Sequence, residues 1–287
     1  MDLDAYLRER RQLVDAALER RVPSAEERPR TLHRAMRHSL FAGGKRLRPI
    51  LCLAAAEACG GRPEDALDLA VALECLHTYT LIHDDLPCMD DDDFRRGHPT
   101  CHKVFGDGIA VLAGDALQAL AFEICGEHGG DFARELAVTS GSRHLVGGQV
   151  LDLEGESQPL TLEELRFVHE SKTAALLTTS VRFGGLRAGA SEAQLAALTR
   201  FGQAAGLAFQ VIDDILDVTQ SSETLGKSAG KDLAAAKATY PALLGLEASR
   251  DEARRLTAEA RSALDDGFGP SADALRALAD YLLRRDF

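Results

Sequence analysis

The sequence predicts an all-α fold, a bundle of long helices, and three observations carry that prediction. Apolar residues recur at helical spacing almost from end to end. Ala and Leu, both strong helix formers, dominate them. Aromatic residues make up only 5% of a chain that has no Trp, and β-branched runs are few.

Taken in order, LDAYLRERRQLVDAALERR at 3–21 is a first amphipathic helix. RTLHRAMRHSLFAGG is a second, which stops at Gly43 and Gly44 because glycine readily leaves the helical region. Pro49 opens PILCLAAAEACGG as a first-turn proline does. PEDALDLAVALECLHTYTLIHDDLP then runs as one long apolar helix whose course changes near Pro87, since the residue before a proline disfavours helical geometry. A charged, Gly-containing loop leads to IAVLAGDALQALAFEIC and a Gly-broken helical stretch to residue 150. Thr161 with Glu164, and Ser191 with Gln194, fit the capping-box pattern and open the next two long helices. No low-complexity linker divides the chain, so residues 1–287 are assigned to one domain.

The 287 residues, 45% of them hydrophobic, can supply a substantial core. The balance of 33 basic against 45 acidic residues, a net charge of −12, argues against a general nucleic-acid surface. The N-terminal MDLDAYLRERRQ is charged where a secretory signal is apolar, and no run approaches the roughly 18 apolar residues of a membrane span. The expectation is a cytoplasmic protein without a span. Six cysteines all fall in the first half and form no CxxC pair, which points to reduced thiols and away from zinc.

The chemistry is concentrated in two acidic motifs. LIHDDLPCMDDDDFRRG, at 81–97, places six aspartates in ten positions. At about 5 Å and an effective dielectric near 20, two carboxylates repel by roughly 3 kcal/mol, so the cluster needs water or a cation. The proline-containing insert should bend the chain and let Asp90 fold back toward Asp84. In QVIDDILDVT, Asp213, Asp214 and Asp217 share one side of a helix at spacings of three and four. Carboxylates alone select hard ions, Mg²⁺, Mn²⁺ or Ca²⁺. A calcium loop starting at Asp92 fails, because Phe94 and Lys103 stand where carboxylates are required. Mg²⁺ takes one or two carboxylates and completes its shell with substrate phosphate, so two acidic rows facing a polyphosphate is the arrangement expected.

Basic residues cluster nearby. GGKRLRP supplies Lys45, Arg46 and Arg48; FRRG supplies Arg95 and Arg96; Lys172 lies in ESKTAALL; LGKSAGKD and the residues after it add Lys227, Lys231 and Lys237. Arginine grips phosphate with two parallel hydrogen bonds, lysine as a point charge. GKS at 226–228 is not the end of a nucleotide P-loop, since Ser221 replaces the required glycine and a helical acidic segment precedes it. His77 lies two turns before Asp84 on roughly the same face and can donate to a phosphate.

GGKRLRP, DDLPCMD with RRG after it, and DDILD with a downstream GK resemble, in that order, the trans-isoprenyl diphosphate synthases; the two-residue insert in the first aspartate motif resembles the bacterial farnesyl diphosphate synthase type. The resemblance implies a helical bundle around a deep central cavity, usually a homodimer, that condenses isopentenyl diphosphate head to tail with dimethylallyl or geranyl diphosphate. It implies that Asp84 and Asp90 hold two Mg²⁺ ions and Asp213 a third, with Mn²⁺ as a substitute and Asp85, Asp214 and Asp217 in support. Arg95, Lys172, Thr173, Gln210, Lys227 and Lys237 would hold the allylic diphosphate, with Lys172, Arg95 and Gln210 nearest the chemistry. Lys45, Arg48, His77 and Arg96 would hold isopentenyl diphosphate. Lys231 departs from the family pattern. Charge then drives the reaction: cations stabilise the departing diphosphate, an allylic carbocation forms, the second double bond attacks it, and a proton is lost to the released diphosphate.

Product length is expected to depend on Tyr79, five residues and about 7.5 Å of helix before Asp84. Ideal helix angles put Thr80 closer to the face of Asp84, with Tyr79 about 140° away; the choice of Tyr79 comes from the family, where an aromatic here accompanies a fifteen-carbon product. A farnesyl product is therefore the first expectation and geranylgeranyl the alternative. The alternative of another class is a non-enzymatic acidic helical protein that binds divalent cations, which leaves the ordered basic motifs without a purpose.

Overall fold

The computed structural model describes residues 1–155, 160–219, 238–265 and 267–283. Its helices are α1 (Leu3–Arg21), α2 (Arg30–Leu40), α3 (Leu47–Ala58), α4 (Leu67–Asp84), α5 (Cys101–Phe105), α6 (Asp107–His128), α7 (Gly130–Ser140) and α8 (Leu145–Gly155). They continue with α9 (Leu162–His169), α10 (Ala175–Arg187), α11 (Glu192–Thr219), α12 (Tyr240–Leu244), α13 (Leu246–Ala263) and α14 (Asp273–Leu283). A single π-helical turn, Glu170–Ala174, joins α9 to α10. The strands described are a two-residue antiparallel pair, β1 (Phe94–Arg95) and β2 (His98–Pro99), in the loop after the first aspartate motif.

α4 lies at the centre because its sequence leaves it no polar side: residues 69–76 are buried without a break. α6 packs along it, with α1, α2 and α3 on its other sides. α10 bridges α3 to α11, and α11 in turn carries α13 and α14. α3 and α10 approach closely at Gly184, where a Cβ would lie 1.9 Å from the Cys52 carbonyl oxygen. Truncating a fully buried contact such as Leu73 to Ala would cost about 2–5 kcal/mol. The predicted caps form: Thr161 and Glu164 bond reciprocally at the start of α9, as do Ser191 and Gln194 ahead of α11.

Arg46 proves to be structural. It sits in left-handed geometry (φ 52°), is 3% exposed, and donates to Asp15 of α1, Glu74 of α4 and the Leu40 carbonyl, each at 2.8 Å. This clasp fixes the GGKRLRP turn and so places Lys45 and Arg48.

One sequence expectation needs correcting. α6 and α11 are long and apolar enough to cross a membrane, by length and composition alone. The few charges in each are spread one or two to a window, so no unbroken apolar run announces them. The α11 window is 61% buried, as a core helix passing the same test would be; that of α6 is 39% buried and leaves Val111 and Leu112 exposed.

Candidate active site

α4 ends at the first aspartate motif, and the chain then turns back on itself. The Asp90 amide donates to the Asp84 carbonyl (2.8 Å), that of Asp91 to Leu86 (3.1 Å) and that of Asp92 to Asp85 (3.2 Å). The insert containing Pro87 thus brings Asp90 beside Asp84, as its spacing predicts. Both line a cavity of about 230 Å³. Asp213, Asp214 and Gln210 of α11 line it too, as do Asp152 of α8, His169, Lys172 and Arg95. The two aspartate motifs, some 120 residues apart in the chain, share one cavity.

Its carboxylates divide into those facing the cavity and those fastening its walls. Asp85 is 3% exposed and accepts from Arg95, whose Nε lies 2.9 Å away. Asp92 also meets Arg95 (3.3 Å), and the exposed Asp93 pairs with Lys103 (2.7 Å), so the later aspartates of the run hold the loop. Asp214 is buried and accepts from His169 Nε2 and from the Tyr240 amide, each at 3.0 Å, tying α11 to α9 and α12. Asp217 is also buried; its Oδ2 has no hydrogen-bond partner among the described residues. Lys227, Lys231 and Lys237 lie outside the described residues.

The π turn carries two predicted residues, of which Lys172 lines the cavity and Thr173 bonds to the lining Gln210. Lys172 Nζ donates to Asp152 Oδ2 at 2.7 Å, and Thr173 donates to Gln210 Oε1 at 2.9 Å. Burial pulls the Lys172 ammonium pKa down, but Asp152 and Asp84 outweigh it and raise it above the ordinary value. For Arg95 burial is likewise outweighed, by Asp85 first. Burial pushes Asp84 up to about 6; Lys172 opposes the shift and Asp90 adds to it. Asp152 and His169 were not found from sequence. Asp152 is a lone aspartate in the Gly-containing GGQVLDLEG, and His169 stands three residues before Lys172 on the same helical side, the one signal available for it.

A second, basic corner lies behind the first motif. Arg48 Nη1 donates to His77 Nε2 at 3.2 Å, which leaves that nitrogen unprotonated and the imidazole neutral. Burial, then Arg48 and Arg96, hold the His77 pKa well below its ordinary value. Burial takes Arg48 down to about 10, with Glu74 opposing and Arg96 adding to the fall. Arg96, also lowered chiefly by burial, donates to the Gly43 carbonyl at 2.5 Å and leaves no room for a side chain at Gly44. Lys45 Nζ lies 5.9 Å from the Tyr281 ring centroid. Thr80 donates to the His77 carbonyl (2.7 Å) and Tyr79 is buried, 6% exposed.

A larger groove, about 900 Å³, runs between α7, α10, α11 and α13 and holds none of the predicted site residues. Arg182 and Arg166 in it are paired with Glu135 and Glu170.

The donor set of the smaller cavity is hard oxygen, which suits Mg²⁺. Among the described residues no three carboxylate, imidazole or thiolate groups converge closely enough to hold a metal by themselves.

Comparison with known proteins agrees with this geometry. The polyprenyl synthetase family model matches residues 29–266. A chloroplastic geranylgeranyl pyrophosphate synthase of Capsicum annuum is 49% identical over 290 residues, 98% of this chain and 78% of the relative. A solved FPP/GFPP synthase from Zymomonas mobilis superposes with a TM-score of 0.87 at 38% identity, covering 98% of this chain and 99% of that one. A geranyltransferase from Helicobacter pylori, solved with magnesium and isoprenyl diphosphate, gives 0.86 at 35% identity over 99% and 98%.

Proposed function

This chain belongs to the polyprenyl synthetase family and is a prenyltransferase that elongates prenyl diphosphates, and from that premise we propose that it joins isopentenyl diphosphate head to tail to an allylic diphosphate held in the 230 Å³ cavity. One observation carries the reading: Asp84 and Asp90 share that cavity with Asp213 and with Lys172.

Asp84, Asp90 and Asp213 would hold Mg²⁺, three ions by analogy with the aspartate rows, and bound Mg²⁺ supplies Lewis-acid stabilisation of the departing diphosphate. Lys172 and Arg95 meet the same diphosphate with charge-assisted hydrogen bonds. Thr173 and Gln210, already bonded to each other, orient it from the α11 side. Arg48, Arg96, Lys45 and the neutral His77 hold the second diphosphate, and Arg48 steers the imidazole so that its other nitrogen can donate. Lys227 and Lys237 complete the allylic set in this proposal. Walls of apolar helix exclude water from the cation. The whole chain acts as one domain, and as a homodimer in which the exposed Val111 and Leu112 of α6 supply part of the contact. The cytoplasmic reading competes with a plastid-type one, since the pepper relative is chloroplastic by name.

Two readings of product length stand. The names of the curated relatives, mostly geranylgeranyl pyrophosphate synthases, favour twenty carbons. The buried ring of Tyr79, one turn before His83 and five residues before Asp84, favours fifteen. Incubation with Mg²⁺, isopentenyl diphosphate and dimethylallyl or geranyl diphosphate tests the function, and chain-length analysis of the product separates the readings; metal binding without turnover overturns the proposal. Tyr79→Ala should shift the product toward twenty carbons or beyond, and an unchanged profile removes Tyr79 as the limit.

A further inference from the structure

Tyr79 and His83 stand one turn apart on α4, and their rings meet edge to face with centroids 5.4 Å apart and planes at 90°. His83 is fixed from the opposite side by α6. Its Nε2 lies 3.0 Å from the Val111 carbonyl oxygen and 4.0 Å from Asp115 Oδ1. The imidazole also fills a notch at Gly114, where a Cβ would fall 2.2 Å from Nε2 and 2.5 Å from Cδ2. Gly114 sits inside α6 in ordinary helical geometry, where glycine is destabilising relative to alanine. The backbone therefore gives no reason for a glycine there; the imaginary Cβ meets His83 and nothing nearer.

We propose that His83, seated in the Gly114 notch, is a positioning residue for product length: it holds the Tyr79 ring in the orientation that limits the growing chain. The proposal rests on the reading that Tyr79 is that limit. A tyrosine ring on a helix can swing between rotamers unless its neighbours forbid it. Here the forbidding neighbour is an imidazole that is itself pinned by a carbonyl and by the absence of a side chain on the facing helix. Gly114 and His83 thus extend the specificity determinant from α4 to α6.

The test reads the ratio of longer to shorter product, made from isopentenyl and geranyl diphosphates with Mg²⁺, in five proteins: the unaltered chain, Tyr79→Ala, His83→Ala, Gly114→Ala and the Tyr79→Ala/His83→Ala double variant. The ratio is normalised to total product, so a slowed variant is still informative. His83→Ala and Gly114→Ala should each raise it about threefold to tenfold, the scale of one aromatic edge contact. The double variant should match Tyr79→Ala alone, because a positioning residue has nothing left to position. If Tyr79→Ala lengthens the product while His83→Ala and Gly114→Ala do not, the inference is overturned and the Tyr79 reading stands. An undiminished His83→Ala shift on the Tyr79→Ala background overturns it too. An unchanged product in Tyr79→Ala removes the reading itself. Should Gly114→Ala fail to fold, His83→Ala decides.

Discussion

The two anion-holding corners of this protein are built on opposite electrostatic plans. In the cavity corner every described cation has a carboxylate: Arg95 has Asp85 and Asp92, and Lys172 has Asp152. In the corner behind it, Arg48 and Arg96 form no ion pair among the described residues, and Arg48 Nε is buried without a hydrogen-bond partner among them. The pKa directions follow. Carboxylate partners raise Lys172 and Arg95 against burial, whereas burial lowers Arg48 and Arg96, outweighing Glu74 at both and Asp85 at Arg96. The first corner has a carboxylate for each of its described cations and Asp84, Asp90 and Asp213 besides, so it repels a diphosphate until metal enters. In the second corner Arg48 and Arg96 keep a positive charge, without an ion pair among the described residues, that an anion can relieve. Diphosphate binding should accordingly depend on metal in the first corner and not in the second.

The largest effect should come from Asp84→Asn, which removes a cavity carboxylate from the metal-dependent corner. Turnover should fall by roughly three orders of magnitude or more, the scale on which a principal electrostatic contribution operates. The fold should persist, because a carboxyl whose pKa is pushed up to about 6 by burial already costs the metal-free protein stability. Isopentenyl diphosphate binding, followed by calorimetry without metal, should stay unchanged. Near-normal turnover would contradict a metal role for Asp84.

Arg48→Met should act on the other corner. The KM for isopentenyl diphosphate should rise about a hundredfold, as expected for losing charge-assisted hydrogen bonds to phosphate, while the KM for the allylic substrate stays put. The metal-free protein should become more stable by about 1 kcal/mol, since a buried cation without a carboxylate gives way to an apolar side chain of similar length. A loss of stability in urea titration would mean that Arg48 is part of the scaffold, as Arg46 is.

That distinction between Arg46 and Arg48 marks where sequence stops being informative. Helix α1 was legible at 3–21, and the caps at Thr161 and Ser191 were legible too, because these signals lie within one turn of chain. The aspartate rows were legible because like charges on one helix face are costly without a partner. Nothing local separates Arg46 from Arg48 in GGKRLRP; the partners of Arg46 come from three different helices, and its left-handed backbone is set by them. Asp152 was missed for the same reason, since Lys172, twenty residues on, is what gives it meaning. The π turn is a single extra residue within continuous helical periodicity, and its effect appears only where Lys172 and Thr173 meet α8 and α11. The apolar character of α6 was underestimated because its charges are evenly spaced rather than absent.

The smallest effect, and the sharpest test of the comparison, is the pH dependence of the metal-free protein. Asp84 titrates near 3.8 when unfolded and near 6 in the folded cavity, so the folded state binds its proton more tightly. The contribution is then fully present below about pH 4 and is lost as pH rises through 6, because the folded state must carry an ion that burial disfavours. Up to roughly 3 kcal/mol should disappear over that interval, at about 1.4 kcal/mol per pKa unit. Urea unfolding of chelator-treated protein at pH 4.5 and 7 should show the unaltered chain losing stability relative to Asp84→Asn over that interval. His77 works in the opposite sense, since burial and then Arg48 keep the folded imidazole neutral while the unfolded one takes up a proton below about 6.5, so the comparison with Asp84→Asn is what isolates the Asp84 share. Mg²⁺ binding requires the ionised carboxylate, so metal affinity should fall as pH drops below 6. If the two proteins keep the same stability difference at pH 4.5 and 7, Asp84 is not the titrating group and the contrast between the two corners is erased.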